Sequence, residues 1–215
     1  MKRLFSGTVL ALTSLMIAAG PAPMLWNVDV PHTGIDFSVK HFFTPIHGEF
    51  DEYDIELLSD CENPENSTVR VSIDVASVNT GNDRRNNHLM SGDFFEAEAH
   101  PYITFVSESV QQIADDKLLV RGPLTIKGQS RDVELPITIL GVKDIPAEMR
   151  EMLGGVTEVA SFETELRLVR GDYGVGSWAA NVVVGDDVDI SIAVEANRRW
   201  APTSLERVGG SRAVA

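Results

Sequence analysis

The sequence predicts an all-β protein: an eight-stranded antiparallel barrel with one or two short helices. Three observations lead there. Apolar residues recur with a period of two rather than 3.6 along most of the chain, the pattern of strands with one buried face. Turn-forming pairs such as Asn63-Pro64, Asp115-Asp116, Lys127-Gly128, Gly154-Gly155 and Gly171-Asp172 divide that pattern into short segments. A chain of 215 residues with 43% hydrophobic and 23% charged residues has enough apolar material for one large β domain. Short connections make the sheet antiparallel, and closing it on itself removes the exposed edges. A β-sandwich shares the alternation, so the pattern favours the barrel and leaves the sandwich open.

The first segment stands apart. Met1-Lys2-Arg3 is basic, Leu4 to Ala19 is apolar with small interruptions, and Ala18-Ala19-Gly20-Pro21-Ala22 is a patch of small residues. Basic, apolar and small in that order is the pattern of a secretory signal peptide, expected over 1–22. An uncleaved anchor is the alternative. The barrel is expected over 23–197, and 198–215 is expected to be a disordered tail because it carries no periodicity.

Strands follow from Leu25 onward. Ile35, Phe37 and Val39 alternate with Asp36, Ser38 and Lys40, and Val69, Val71, Ile73 and Val75 with Arg70, Ser72 and Asp74. Ile103 and Phe105 flank Thr104; Val133, Leu135, Ile137 and Ile139 alternate with Glu134, Pro136 and Thr138. Ala160 to Leu168 sets apolar positions and Thr164 against Ser161, Glu163, Glu165 and Arg167, and Ile190, Ile192 and Val194 close the series. Segments at 47–57 and 117–126 complete the expected eight strands. Two stretches read as helices. Asn82 to Leu89 is strongly polar, whereas Pro146 to Leu153 has proline at a first-turn position followed by good helix formers.

Composition narrows the chemistry. Eighteen basic against 32 acidic residues give a net charge of −14, which repels phosphate backbones and anionic bilayers and excludes general nucleic-acid binding. A single cysteine, Cys61, forms neither an internal disulfide nor a thiolate cluster. The five histidines, at 32, 41, 47, 88 and 100, match no metal-ligand spacing, and no nucleophile elbow or phosphate-binding loop is present. Neither a metal nor a cofactor is expected. The densest polar cluster, Asp83, Arg84, Arg85 and His88, either lines the mouth of a pocket or simply solvates a short helix.

Several stretches taken in order resemble the YceI family of bacterial polyisoprenoid-binding proteins. They are Trp26-Asn27-Val28-Asp29, the run from His32 to His41, Gly48-Glu49-Phe50-Asp51, and Thr80-Gly81 through Arg84, Arg85 and His88-Leu89. Ser91-Gly92-Asp93-Phe94-Phe95, His100-Pro101-Tyr102, Gly122-Pro123-Leu124-Thr125, Arg170-Gly171-Asp172-Tyr173-Gly174-Val175 and Val188-Asp189-Ile190 continue the match. The resemblance covers about Trp26 to Asn197. It departs from the family in a longer excursion near 144–154 and in the tail.

The resemblance implies a lipocalin-like barrel around an apolar tunnel, a periplasmic location, and an isoprenoid lipid or quinone as ligand without catalysis. Inward positions that mix large and small side chains leave room for a slender chain. The expected ligand-binding residues are Phe37, Val39, Phe50, Val71, Ile73, Phe94, Phe105, Leu124, Ile126, Leu135, Phe162 and Leu166, with Arg84, Arg85 and His88 at the mouth for a pyrophosphate or a quinone oxygen. Transient membrane contact and pairing of two copies are further expectations. Two other readings stay open: a packed, ligand-free secreted β domain, and a hydrolase or isomerase using His41 or His88 in the same pocket.

Overall fold

The computed structural model describes residues 23–60, 63–178 and 183–199. Its strands are β1 (Met24–Val28), β2 (Gly34–His41), β3 (Thr44–Phe50), β4 (Tyr53–Ser59), β5 (Thr68–Asp74) and β6 (Val78–Asn79), followed by helix α1 (Asp83–Met90). Then come β7 (Tyr102–Val106), β8 (Ser109–Ala114), β9 (Lys117–Ile126), β10 (Gln129–Asp144), helix α2 (Ala147–Arg150), β11 (Val156–Val169) and β12 (Val184–Arg199). Every strand pairing is antiparallel.

Eight of these strands form a closed ring in the order β1, β4, β5, β7, β9, β10, β11, β12. The ring shuts where Asn27 and Val28 of β1 pair with Asn197 and Ala196 of β12. The barrel is therefore confirmed over the sandwich. Beyond the 3₁₀ turn Val30–His32, the chain returns as β2 against the other half of β12, and β3 and β6 extend the sheet from there. β8 folds back as a hairpin on β9.

Register carries the sequence alternation into one inner face. Leu166 lies opposite Ile190, which lies opposite Phe37; Thr164, Ile192 and Ile35 form the next such row. On the other face Arg167 and Asp189 are paired across β11 and β12 at 2.7 Å. The interior holds three apolar clusters. The largest joins Ile35, Phe50, Ile73, Val75, Val78, Phe94, Ile103, Ile126, Tyr173 and Val175. A second packs Trp26 against Ala160 and Ala196, and a third packs Phe105 with Val110 and Val120.

Several elements differ from the sequence expectation. The segment at 47–57 is two strands, interrupted at Asp51-Glu52, while β1, β6 and β8 add short strands too brief or too irregular to show a period. The expected helix at 82–89 is present one residue later, with Asn82 as its cap: Asn82 Oδ1 accepts from the Arg85 N–H at 3.0 Å. Asp83 in its first turn and His88 in its last suit the helix dipole. The expected helix at 146–153 is one turn, Ala147–Arg150, with Pro146 at the cap rather than inside, and turns continue to Gly154-Gly155 at positive φ. β12 also runs two residues past the expected boundary at Asn197. Arg198 pairs with Glu158 and lies 4.8 Å over the Trp26 ring, which holds the strand in register. The expected signal peptide and the tail from 200 lie outside the described residues.

One close approach constrains β9. A Cβ on Gly122 would meet the Val106 carbonyl oxygen at 2.1 Å, so the strand tolerates no side chain there. Gly122→Ala is expected to lower stability by roughly 1–3 kcal/mol, read as a lower urea midpoint at unchanged slope. Two phenols add a pH dependence. Burial raises the pKa of Tyr53, as does nearby Asp36; burial likewise raises that of Tyr173, with Asp172 adding to it and Arg131 opposing. The folded state therefore keeps protons that the unfolded chain releases, and this stability is complete below about pH 10 and lost as pH rises above it. Alkaline titration of unfolding in Tyr53→Phe and Tyr173→Phe should show a shallower loss than in the parent.

Candidate functional site: an apolar cavity with a cationic mouth

Where the sheet leaves the ring through β2, β3 and β6, its last strand is only two residues long. Helix α1 and the segment after it fill the gap. Phe95 and Ala97 donate backbone hydrogen bonds to Leu89 and Met90 carbonyls, at 3.0 and 2.9 Å, folding that segment back on the helix. The result is a cavity of about 750 Å³. Its wall is Phe37 and Val39 of β2, Ile46 and Phe50 of β3, Leu89, Phe94, Phe95, Ile103, Ile126, Leu168, Tyr173 and Val175, and Val184, Val188 and Ile190 of β12. Lys40, His41, Thr80, Asn82, Arg84, Arg85, His88, Arg170 and Trp178 supply its polar and aromatic edge.

The charge pattern is one-sided. Among the described residues four cations, Lys40, Arg84, Arg85 and Arg170, line the cavity, and no Asp or Glu does, in a chain with 32 acidic residues. These cations are not equivalent. Arg170, buried, donates from Nε to the Gly185 carbonyl at 2.9 Å, from Nη1 to Val175 and Gly176 at 2.9 and 2.6 Å, and from Nη2 to Val184 at 3.0 Å. It clasps the loop after β11 to the start of β12. Arg85 is fixed through Nε and Nη2 to the Thr80 hydroxyl and carbonyl, at 2.7 and 2.6 Å. Arg84 and Lys40 are exposed and make no hydrogen bond or ion pair among the described residues, so both are available to a ligand.

An aromatic group stands at the edge. His88 Nε2 lies 3.1 Å from Asp93 Oδ2, and its ring packs edge-on against Phe94 and obliquely against Trp178, at 5.0 and 5.8 Å between centroids. Gly48 gives Phe37 its place, since a Cβ there would meet the Phe37 ring at 2.4 Å. Any larger residue at 48 would push that ring into the cavity.

Eight of the fifteen residues expected from the sequence line this cavity: Phe37, Val39, Phe50, Arg84, Arg85, His88, Phe94 and Ile126. The other seven do not. Ile73 packs in the largest core cluster, Val71 and Leu124 bridge it to the third, Phe105 and Leu135 belong to the third, and Phe162 packs on the Trp26 cluster. Leu166 is half-buried on β11 beside the lining residue Ile190 without lining the cavity itself. The cavity lies toward the end of the barrel bearing α1. Sequence reasoning missed Leu168 and Ile190, although both continue an alternation it had identified. It also missed Trp178 and the clasp role of Arg170, which no period or spacing marks. His41 lines the cavity and His47 is exposed on β3, so the two do not converge. Asp29, His32 and Glu195 bring ligand-type atoms within 4.8 Å of one another, but at the surface, with none of them in the cavity lining.

Replacing Arg170 with methionine removes the donors for four carbonyls at once. Arg170→Met is expected to cost roughly 3–5 kcal/mol, the range for breaking a buried charged network, measured by urea unfolding. Altered emission from Trp178 is expected with it, because the loop carrying that residue is held by the same guanidinium.

Comparison with known proteins agrees with this architecture. A YceI-like domain model matches residues 26–196. Protein YceI of Escherichia coli O17:K52:H18 is 31% identical over 190 residues, covering 86% of this chain and 94% of that protein. The crystal structure of Burkholderia cenocepacia BcnA superposes with a TM-score of 0.68 at 26% identity, over 79% of this chain and 99% of that one. A polyisoprenoid-binding domain from Saccharophagus degradans, implicated in plant cell wall breakdown, shares the fold with a TM-score of 0.58 at 16% identity, over 80% and 97% of the two chains. The chain belongs to the YceI-like domain family.

Proposed function

We propose that the protein is a non-catalytic carrier of an isoprenoid lipid in the periplasm, holding the chain in the cavity and the head group at its mouth. The observation that carries this reading is the combination of an apolar wall with a rim that has cations and no carboxylate. A cavity of about 750 Å³ holds on the order of 25 carbon-sized groups, at about 30 Å³ each, or about five prenyl units. Each buried CH₂ contributes ~0.8 kcal/mol, so a prenyl unit gains roughly 3–4 kcal/mol before the cost of ordering the chain. Affinity then grows with the buried length, and a longer chain projects from the mouth. Arg84 and Lys40 suit a pyrophosphate, and the same donors suit a quinone oxygen.

The family resemblance and the polyisoprenoid-binding neighbour support the ligand class, and the basic–apolar–small start of the chain supports export. The carrier reading also fits the chemistry of the lining better than catalysis does. The Thr80 hydroxyl is occupied by Asn86 and Arg85, and the His88–Asp93 pair faces the rings of Phe94 and Trp178 rather than a nucleophile.

The test is solvent extraction of the natively exported protein, with mass spectrometry of the extract. A stoichiometric prenyl lipid is expected. An extract that stays empty after incubation with prenyl lipids would overturn the proposal. Val39→Trp should fill part of the cavity and reduce loading about tenfold or more while the far-ultraviolet circular dichroism of the barrel is retained. Arg84→Ala with Arg85→Ala should weaken a pyrophosphate-bearing ligand more than the corresponding alcohol.

A further inference from the structure

The β2–β3 hairpin turns on two aromatic residues. His41 pairs with Thr44, leaving Phe42 and Phe43 as a two-residue loop. Such loops favour Gly, Asn or Asp, because a central residue must adopt positive φ. Here Phe42 does so, at +53°, a conformation that a bulky side chain takes at a cost in strain. Neither ring is repaid by burial: Phe42 is 53% exposed and Phe43 93%. The Phe42 ring touches His41 edge-on at 4.9 Å between centroids, and the Phe43 ring is almost wholly in water.

The position of this hairpin tip supplies a use. The Phe42 N–H donates to the Val183 carbonyl at 2.8 Å, which ties the tip to the cavity-lining start of β12, and Lys40 and His41 at its base line the cavity themselves. Trp178, 60% exposed, stands on the same rim. Exposed apolar residues elsewhere, such as Leu140 and Met152, have no such association with the cavity. Lys40 and Arg84 are solvent-facing cations that line the same cavity. Of the nearby carboxylates, Asp93 lies 3.1 Å from His88 and Asp186 3.9 Å from Arg170, Asp83 adjoins Arg84 in sequence, and the exposed Asp187 stands between the lining residues Val184 and Val188 without entering the lining itself. The mouth thus departs from the acidic character of the chain as a whole.

We propose that this mouth docks on an anionic lipid bilayer, with Phe42, Phe43 and Trp178 seated at the headgroup–acyl boundary and Lys40 and Arg84 against lipid phosphates. Aromatic side chains favour that boundary, and cations near it are attracted by the negative surface potential. The occupant is a membrane rather than a soluble partner because two kinds of group meet on one rim: projecting rings suited to the acyl boundary and unpaired cations suited to the phosphates above it. Docking in this orientation opens the cavity directly toward the acyl layer.

The inference goes beyond the carrier reading and is scored separately from it. Full-length protein stripped of bound lipid is sedimented with vesicles of phosphatidylglycerol and phosphatidylethanolamine, and with phosphatidylcholine vesicles for comparison. Partition to the anionic vesicles is expected, weakened by high salt. Phe42→Gly with Phe43→Ser should lower it about tenfold or more. Gly at 42 suits the positive φ, and neither position lines the cavity, so lipid loading in detergent solution should be unchanged. Lys40→Glu with Arg84→Glu should remove the preference for anionic vesicles. Undiminished sedimentation of the Phe42/Phe43 variant, absence of partition by the parent, or equal partition to phosphatidylcholine would each overturn the proposal. So would a parent that is dimeric and a hairpin variant that is monomeric, with no vesicle binding by either, since the tip would then be a contact between copies. Empty extracts from a protein that nonetheless partitions would count against the carrier reading alone.

Discussion

A sheet with one apolar face must bury it, and the described residues include no helical layer large enough to cover it. Among the described residues the helices are eight and four residues long. Closure is the remaining solution, and the ring of eight strands provides it. The rest of the structure follows from that constraint. Inward rows such as Leu166, Ile190 and Phe37 coincide because register is fixed by which face is buried. The cavity exists because closure is complete in only one part of the barrel. Where β2, β3 and the brief β6 leave the ring, a helix replaces strand pairing, and the cavity lies there.

The clusters around Trp26 and around Phe105, Val110 and Val120 are packed with apolar side chains. The largest cluster lies at the open end, where Phe50, Phe94, Ile126 and Tyr173 also form cavity wall, and polar contacts add to it there: Arg170 on four carbonyls, Arg85 on Thr80, and Asn82 at the helix cap. Such contacts specify geometry without filling volume. The interior is not perfectly satisfied elsewhere, since the Trp26 indole nitrogen and the Thr164 hydroxyl are buried without hydrogen-bond partners among the described residues. Each such group costs about 1–3 kcal/mol, which the packing around it must offset.

Most of the fold was legible because the period-two pattern is a direct imprint of burial on one face. Val133 to Ile139 and Ala160 to Leu168 are strands wherever they are read, from sequence or from coordinates. The helix at α1 was legible from its polar run, but not its start, because Asn82 caps it rather than opening it. The candidate site was half legible. Phe37, Val39 and Ile126 face inward by alternation, but so do Leu135 and Phe162, and alternation does not tell which inward residue meets open volume and which meets another side chain. That distinction depends on where the ring opens, a property of strand order across the whole chain. Arg170 illustrates the other limit: in sequence it is one cation beside a turn, and its role comes from carbonyls of Val175, Gly176, Val184 and Gly185 that folding brings to it.

The seam between β1 and β12 joins residues 170 positions apart, Asn27 with Asn197. The first strand therefore has no permanent partner on that side until the last strand exists. A chain emerging vectorially, from a ribosome or through a translocation pore, must keep β1 and the inner edge of β11 unpaired until synthesis or transport is nearly finished. Contacts this remote slow folding and prolong the exposure of strand edges. The time between the arrival of Trp26 and that of Asn197 is thus an interval of vulnerability to misassociation, and a product cut short before β12 leaves β1, β11 and β2 each with an open edge and no means of closing it.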